Sequence, residues 1–235
     1  MDDLRAGRNP ELGTRERDEL QAATNRRYDR SARIYDLYDW PMDVLGGVAR
    51  RRRRVLARAR GRVLEVGVGT GRNLDLYPED VELTGIDAST GMLGRAGRRA
   101  ARADVPTKVT LELADVQRLP FKDGSFDTVT STCVFCSVAD PVRGLEELRR
   151  VVRPDGQVLL VEHVRPRSRF LGRLFDLLNP LVRRLVGASI NRRTEANLLA
   201  AGLELVEVRR HAIWREMVAQ PSERAGATSD GAAPS

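Results

Sequence analysis

The chain carries 235 residues, 41% of them hydrophobic, with a formal net charge of +7 and a pI near 10.2. That length sets one domain with short appendages around a substantial core. Its two cysteines, Cys133 and Cys136, exclude a disulfide framework, and one C-x-x-C without further Cys or nearby His makes a poor zinc or redox site, so no metal is expected.

The positive charge is nearly all Arg, with Lys only at 108 and 122 and acids interspersed through most of the chain. That pattern reads as a mixed solvated surface before it reads as a nucleic-acid track. The opening MDDLRAGRNP lacks the apolar core of a signal peptide, and no apolar run is long enough to span a bilayer. The expectation is a cytoplasmic chain, with peripheral contact at the inner face of the membrane left open.

Residues 1–20 are highly charged with few apolar anchors and are expected to form a mobile arm. Residues 21–60 hold the first helices. Tyr28, Ile34, Tyr35, Leu37, Tyr38 and Trp40 concentrate aromatic and aliphatic side chains in a chain only 5% aromatic. Pro41 is expected to open the next helix, with Val44, Leu45, Val48, Val55 and Leu56 on one face and the block Arg50–Arg54 on the other.

The stretch VLEVGVGTG, Val63 to Gly71, reads as a buried strand running into a glycine loop. Glycine at 67, 69 and 71 permits a tight turn and close approach of a ligand to the backbone. A dinucleotide fingerprint would need a third glycine at 72, where Arg72 stands instead. A helix is expected over 71–77, then strand 82–87 ending in Asp87 and helix 90–102, weakened by Gly91, Gly94 and Gly97. Strand 109–114 ends at Asp115. Strand 126–131, helix 141–152, the turn Pro154-Asp155-Gly156 and strand 157–163 follow. This strand–helix alternation predicts an α/β, doubly wound parallel sheet.

Segment 165–188 places Phe170, Leu171, Leu174, Phe175, Leu177, Leu178, Leu181, Val182, Leu185 and Val186 in one broad apolar stripe, with Arg167, Arg169, Arg173, Arg183 and Arg184 opposite. Pro180 is expected to kink or divide it. An Arg-rich amphipathic helix of this kind suits an anionic membrane interface; a helix covering the sheet is the other reading. Helix 192–201 and a closing hairpin, 203–209 with 211–218, complete the domain, and 219–235 are expected to be a disordered tail.

The E-x-G-x-G-x-G of Glu65 to Gly71, Asp87 after the second strand, Asp115-Val116 after the third, F-D-T-V at 126–129 and R-P-D-G at 153–156 together resemble the class I S-adenosylmethionine (SAM)-dependent methyltransferases. The resemblance covers residues 24–218. It implies a Rossmann-like seven-stranded sheet of order 3-2-1-4-5-7-6, strand 7 antiparallel, with a SAM-binding domain over 61–218 carrying 165–188 as an amphipathic insert. Asp155 departs from the commoner R-P-G-G, which touches only turn geometry. Within the family, the aromatic segment resembles the N-terminal lid of lipid and quinone methyltransferases. Other stretches resemble membrane-associated alkyl-thiol methyltransferases, bacterial phospholipid N-methyltransferases and quinone C-methyltransferases.

Carried over by position, Gly67, Val68, Gly69, Thr70 and Gly71 would lie along the methionine moiety, with Glu65 beneath. Asp87 would hold the ribose, Ala88 and Met92 the adenine edge, and Asp115 the adenine amino group with Val116 beside it. Thr132 and Cys133 would face the sulfonium. The acceptor pocket would take in Tyr28, Tyr35 and Cys136. His163, with Glu162 beside it, is the candidate general base, one of the pair pointing to the site and the other away. The cofactor implied is SAM, leaving as S-adenosylhomocysteine. The acceptor implied is a lipophilic small molecule: a phospholipid amine, a quinone precursor or a hydrophobic thiol. The alternatives are an RNA methyltransferase, disfavoured because strand 4 ends S-T-C-V, or a non-catalytic SAM-binding adaptor.

Overall fold

Val63, Leu64, Glu65 and Val66 are all buried, so the strand they form is covered on both faces, as the centre of a parallel sheet must be. The computed structural model describes residues 13–37, 43, 46–102, 108–166 and 168–222, with only the backbone of 185 and 186. The readings placed on residues 1–12, Tyr38, Trp40, Pro41, Val44, Leu45, Arg167 and 223–235, and on the side chains of Leu185 and Val186, lie outside the described residues.

In chain order the elements are α1 (Thr14–Ser31), α2 (Val48–Leu56), β1 (Arg62–Val66), β2 (Glu82–Asp87), α3 (Thr90–Ala100), β3 (Lys108–Leu113), β4 (Phe126–Thr132), α4 (Pro141–Val151), β5 (Val152–His163), α5 (Arg169–Val186), α6 (Thr194–Ala200), β6 (Leu203–His211) and β7 (Trp214–Pro221). The seven strands form one sheet of order β3-β2-β1-β4-β5-β7-β6. β7 runs antiparallel to both β5 and β6, and the other pairings are parallel. The expected fold class and strand order are therefore observed.

Strand alternation divides the core into two layers. Leu64, Val66, Val129 and Leu160 pack on one side with Leu145 and Leu148 of α4 and Leu198 of α6. Val63, Leu83, Leu159 and Val161 pack on the other with Val55 and Leu56 of α2 and Ala96 of α3. On α3, Met92 and Ala96 are buried and Leu93 and Ala100 pack partly buried against the core. The strand ends carrying Asp87 and Thr132 meet the glycine loop at one edge of this sandwich, the place where open parallel sheets form ligand crevices.

Several local expectations change. The charged segment through residue 20 is not all arm, because α1 begins at Thr14. Its Glu16 folds back to accept from the Gly13 amide at 2.8 Å, a capping interaction written in the sequence. Residues 71–77 form consecutive turns and not a helix. Asn73, Leu74 and Tyr77 of this segment are buried, and Asn73 and Tyr77 bond to Glu65 and Thr130 beneath it. The expected turn at 154–156 sits inside β5: the register passes from Phe126↔Val152 to Thr128↔Gln157, so 153–156 bulge out of the ladder. α5 runs on through Pro180, so the expected division into two helices is not observed. α5 lies on the surface, where water can serve the carbonyl that proline leaves without an amide. β7 continues to Pro221, three residues into the expected tail.

Candidate functional site

Gly67 and Gly69 adopt φ of +67° and +56°, a left-handed bend that turns the chain out of β1 at the crevice. A Cβ on Gly67 would stand 2.4 Å from Val134. One on Gly69 would meet only the Gly67 carbonyl, at 4.0 Å, so this backbone borders open space. Asp87 fixes the loop from the neighbouring strand: its Oδ2 accepts from the Gly69 amide and its Oδ1 from the Ser89 amide, both at 2.9 Å. Burial raises its pKa, the charge of Asp29 adding to this while the two amides oppose it.

Beneath the loop, Glu65 is fully buried and accepts from Asn73 Nδ2 at 2.5 Å. Asn73 also donates to Thr132 Oγ1 at 2.9 Å, so one side chain ties β1, the glycine loop and the end of β4 together. Burial pushes the Glu65 carboxyl up to about 7, with Asn73, Tyr77 and Arg52 pulling the other way.

α1 crosses the mouth of this crevice and is fastened on both sides. Asp29 Oδ1 accepts from Ser89 Oγ at 2.6 Å and from the Gly91 amide at 3.0 Å, supplementing the cap of α3. Gly91 lets α1 approach closely, since a Cβ there would stand 3.0 Å from the Asp29 carbonyl oxygen. On the other side Tyr28 hydroxyl pairs with Ser137 Oγ at 2.6 Å, Gln21 accepts from the Ala139 amide at 2.9 Å, and Arg17 ion-pairs with Asp140 at 2.9 Å.

Two clefts open under α1. The first, of about 710 Å³ with the solvent at its mouth included, is lined by Gly67, Gly69, Asp87, Ala88, Met92, Asp115, Val116, Thr132 and Cys133, with Tyr28 and Tyr35 from the N-terminal segment. The second, of about 1010 Å³, is lined by Gly67, Val68, Gly69, Thr70, Thr132, Cys133, Cys136 and His163, again with Tyr28 and Tyr35. The two share Tyr28, Tyr35, Gly67, Gly69, Thr132 and Cys133, which mark their junction. Cys133 there holds φ of +59°, a conformation non-glycine residues adopt sparingly and functional sites collect.

Three residues singled out in the sequence line neither cleft. Glu65 acts through Asn73. Gly71 allows close packing, a Cβ there falling 3.1 Å from Ala96 Cα. Glu162 points to the opposite face of β5 from His163, where its Oε1 accepts from the Val134 amide at 2.9 Å and the Phe135 amide at 3.2 Å. Burial raises its pKa to about 7, with those amides opposing. His163 is 9% exposed and packs edge-on to Trp214, and burial, with the Arg192 charge added, lowers its pKa to about 4. The imidazole is therefore neutral at pH 7.

The sequence reading missed Gln21, Asn25 and Ser137 in the first cleft and Asp43, Arg52, Arg72, Asn73 and Trp214 in the second. Asp43 bridges Arg52 and Arg72. Arg72 and Asn73 directly follow the last glycine of the loop, and that adjacency was the available signal. Asp43 and Trp214 come from distant parts of the chain and carried none.

The family described as "Methyltransferase domain" matches residues 64–160. A phosphatidylethanolamine N-methyltransferase of Cereibacter sphaeroides is 39% identical over 135 residues, covering 57% of this chain and 66% of that protein. A demethylmenaquinone methyltransferase of Deinococcus radiodurans is 34% identical over 181 residues, covering 74% of this chain and 70% of that protein. A solved SAM-dependent methyltransferase of Thermotoga maritima superposes with a TM-score of 0.59 at 21% identity, covering 83% of this chain and 99% of the other. The chain spans less than two thirds of the length of the first curated relatives it matches, 66% and 62%. With the glycine loop, the acid of β2 and the strand order in place, this chain belongs to the SAM-dependent methyltransferase family.

Proposed function

We propose that this protein transfers the methyl group of SAM to a lipophilic acceptor, with the cofactor in the first cleft and the acceptor in the second. The observation that carries this is the junction at Gly67, Gly69, Thr132 and Cys133, common to both clefts and walled by Tyr28 and Tyr35. The residues fit the cofactor. A half-buried carboxylate at Asp87 leaves lone pairs for two ribose hydroxyls, Gly69 keeps the loop free of side chain, and Met92 and Val116 give apolar walls for a purine.

When bound, SAM supplies an electrophilic methyl on its sulfonium. The chain's own contribution is alignment and dryness. Asn73 fixes the floor, α1 closes the roof, and the aromatic walls exclude water from the junction. His163, neutral and lining the second cleft, is the proposed proton acceptor for a protonated acceptor atom. The Cys136 thiol is poorly suited to that role, since burial and the Glu162 charge push it up to about 12. Glu162 holds the loop after β4 and is not proposed as the base.

α5 supports a lipophilic acceptor drawn from a membrane. Phe170, Leu174 and Leu177 are 78%, 38% and 77% exposed, and Leu171, Leu178 and Leu181 complete a stripe of about 120° at helical spacing. Arg173 and Arg184 flank that stripe. Large exposed apolar side chains edged by arginine suit the interface of an anionic bilayer, and we place peripheral membrane contact there. Among the described residues no helix is long and apolar enough to cross a membrane.

The test uses SAM labelled on its transferable methyl, with total lipid extract, a quinone precursor, a hydrophobic thiol and total RNA in separate reactions. Label entering the organic phase of any of the first three supports the proposal. Label entering only RNA overturns it.

A further inference from the structure

Beside Cys136 and Ser137, α1 and α5 border an open pocket of about 940 Å³, the solvent at its mouth included. Arg27 of α1, Arg183 and Arg184 of α5, and Arg192 of the following loop all line it, together with Ser137 and Ser189. No carboxylate lines it among the described residues, and none of the four guanidinium groups forms an ion pair there.

Four like charges converging with no carboxylate in the lining repel one another, a cost that solvent and the charges of Glu162 and Asp140, outside the lining, only partly offset. Local structure accounts for part of the arrangement. Arg27 donates to the Arg183 carbonyl at 3.2 Å, near the C-terminal end of α5, where a cation is favourable. Arg192 Nη2 donates to the Val138 carbonyl at 2.6 Å. Neither bond answers for Arg183 and Arg184. Moreover, Arg192 Nε is sheltered from solvent and has no hydrogen-bond partner, a donor left unsatisfied inside the cavity wall. Burial first, and the Arg183 charge next, pull the Arg192 pKa below its ordinary value, although Cys136, Glu162 and Asp140 act the other way. A bound anion would remove that strain.

We propose that this cavity is a phosphate seat, and that it takes the headgroup phosphate of a membrane phospholipid. Planar guanidinium groups offer paired donors that match phosphate oxygens, and two serine hydroxyls border the same space. The lipid source rests on the interfacial reading of α5. The exposed apolar stripe of that helix would bring headgroups to the level of Arg183 and Arg184, which sit on its last turns.

The full-length protein is melted in inorganic phosphate and in chloride of equal ionic strength, and its binding to phosphatidylcholine vesicles with and without phosphatidylglycerol is measured by co-sedimentation. The seat variant is R183Q/R184Q, the control R169Q/R173Q removes two charges from the same helix outside the cavity, and Arg27→Gln probes the seat from α1. Expected are a melting temperature raised by phosphate beyond chloride in the wild type and control but not in either seat variant, and vesicle affinity about tenfold lower for R183Q/R184Q against at most threefold for the control.

Equal vesicle losses in the two double variants, with no phosphate-specific rise in the wild type, overturn the seat. Equal losses with a phosphate rise that needs Arg27 and Arg183 keep the seat and overturn the lipid as its source. No vesicle binding by the wild type, with that same phosphate rise intact, overturns the interfacial reading of α5 and leaves a seat for free phosphate.

Discussion

Asp87 links two parts of the proposed site, because it holds the Gly69 amide from one strand over and also lines the first cleft. Asp87→Asn should lower SAM affinity by about tenfold to a hundredfold, the range of one to two charge-assisted hydrogen bonds, as read by equilibrium dialysis. His163→Ala tests the proposed proton acceptor: kcat should fall while the KM for SAM changes little, since His163 lines the second cleft and not the first. Because burial brings His163 down to about 4, the pH profile of kcat/KM in the wild type should show no ionisation near 6.5 that disappears in this variant. A limb at pH 6.5 removed by H163A would contradict the assigned environment.

At the scale of elements, α1 is held by polar fastenings, as the proposed lid would need, and α5 is a surface helix held by few. The Asp29 and Tyr28 contacts join α1 to α3 and to the loop before α4. Asp29→Ala with Tyr28→Phe should cost roughly 1–2 kcal/mol of lid closure. The readouts are faster amide exchange along Thr14–Ser31 and weaker SAM binding, with the global melting temperature shifting less. Unchanged exchange in α1 would show that other contacts close it. For α5, Leu177→Ser with Leu181→Ser should reduce binding to anionic vesicles by tenfold or more, since each leucine would bury about 1.5–3 kcal/mol of apolar surface in the interface. Both side chains are exposed, so thermal stability should hardly change.

For the whole molecule, the notable electrostatic feature is two glutamates buried on opposite faces of the sheet. Glu162 is raised to about 7 from an unfolded value near 4.5, so between those pH values the folded state retains a proton that the unfolded state has lost. Stability from this group therefore falls as pH rises from 4.5 to 7 and is flat above. Glu65 acts in the same direction over the same window. His163 acts oppositely, since its lowered value makes stability fall as pH drops from 6.5 to 4. Glu162→Gln isolates one term: its stability relative to wild type should climb by about 1.4 kcal/mol per pH unit across 4.5–7 in chemical unfolding. A difference constant with pH would mean that Glu162 is ionised throughout.

The sequence by itself determined the strand–helix alternation and the placing of Asp87, Asp115 and the glycine loop at strand ends. These depend on local patterns: buried runs of β-branched residues, caps and left-handed glycines. The family resemblance supplied the strand order, which the sheet then reproduced. Tertiary structure alone decided which of Glu162 and His163 faces the cleft, because a strand has two faces and only packing against Trp214 and the loop after β4 distinguishes them. It alone brought Asp43, Arg52 and Arg72 together, set Asn73 against the buried Glu65, and gathered four arginines from α1, α5 and the loop beyond around one cavity. Those contacts join residues distant along the chain, where side-chain pattern carries no record of the partner.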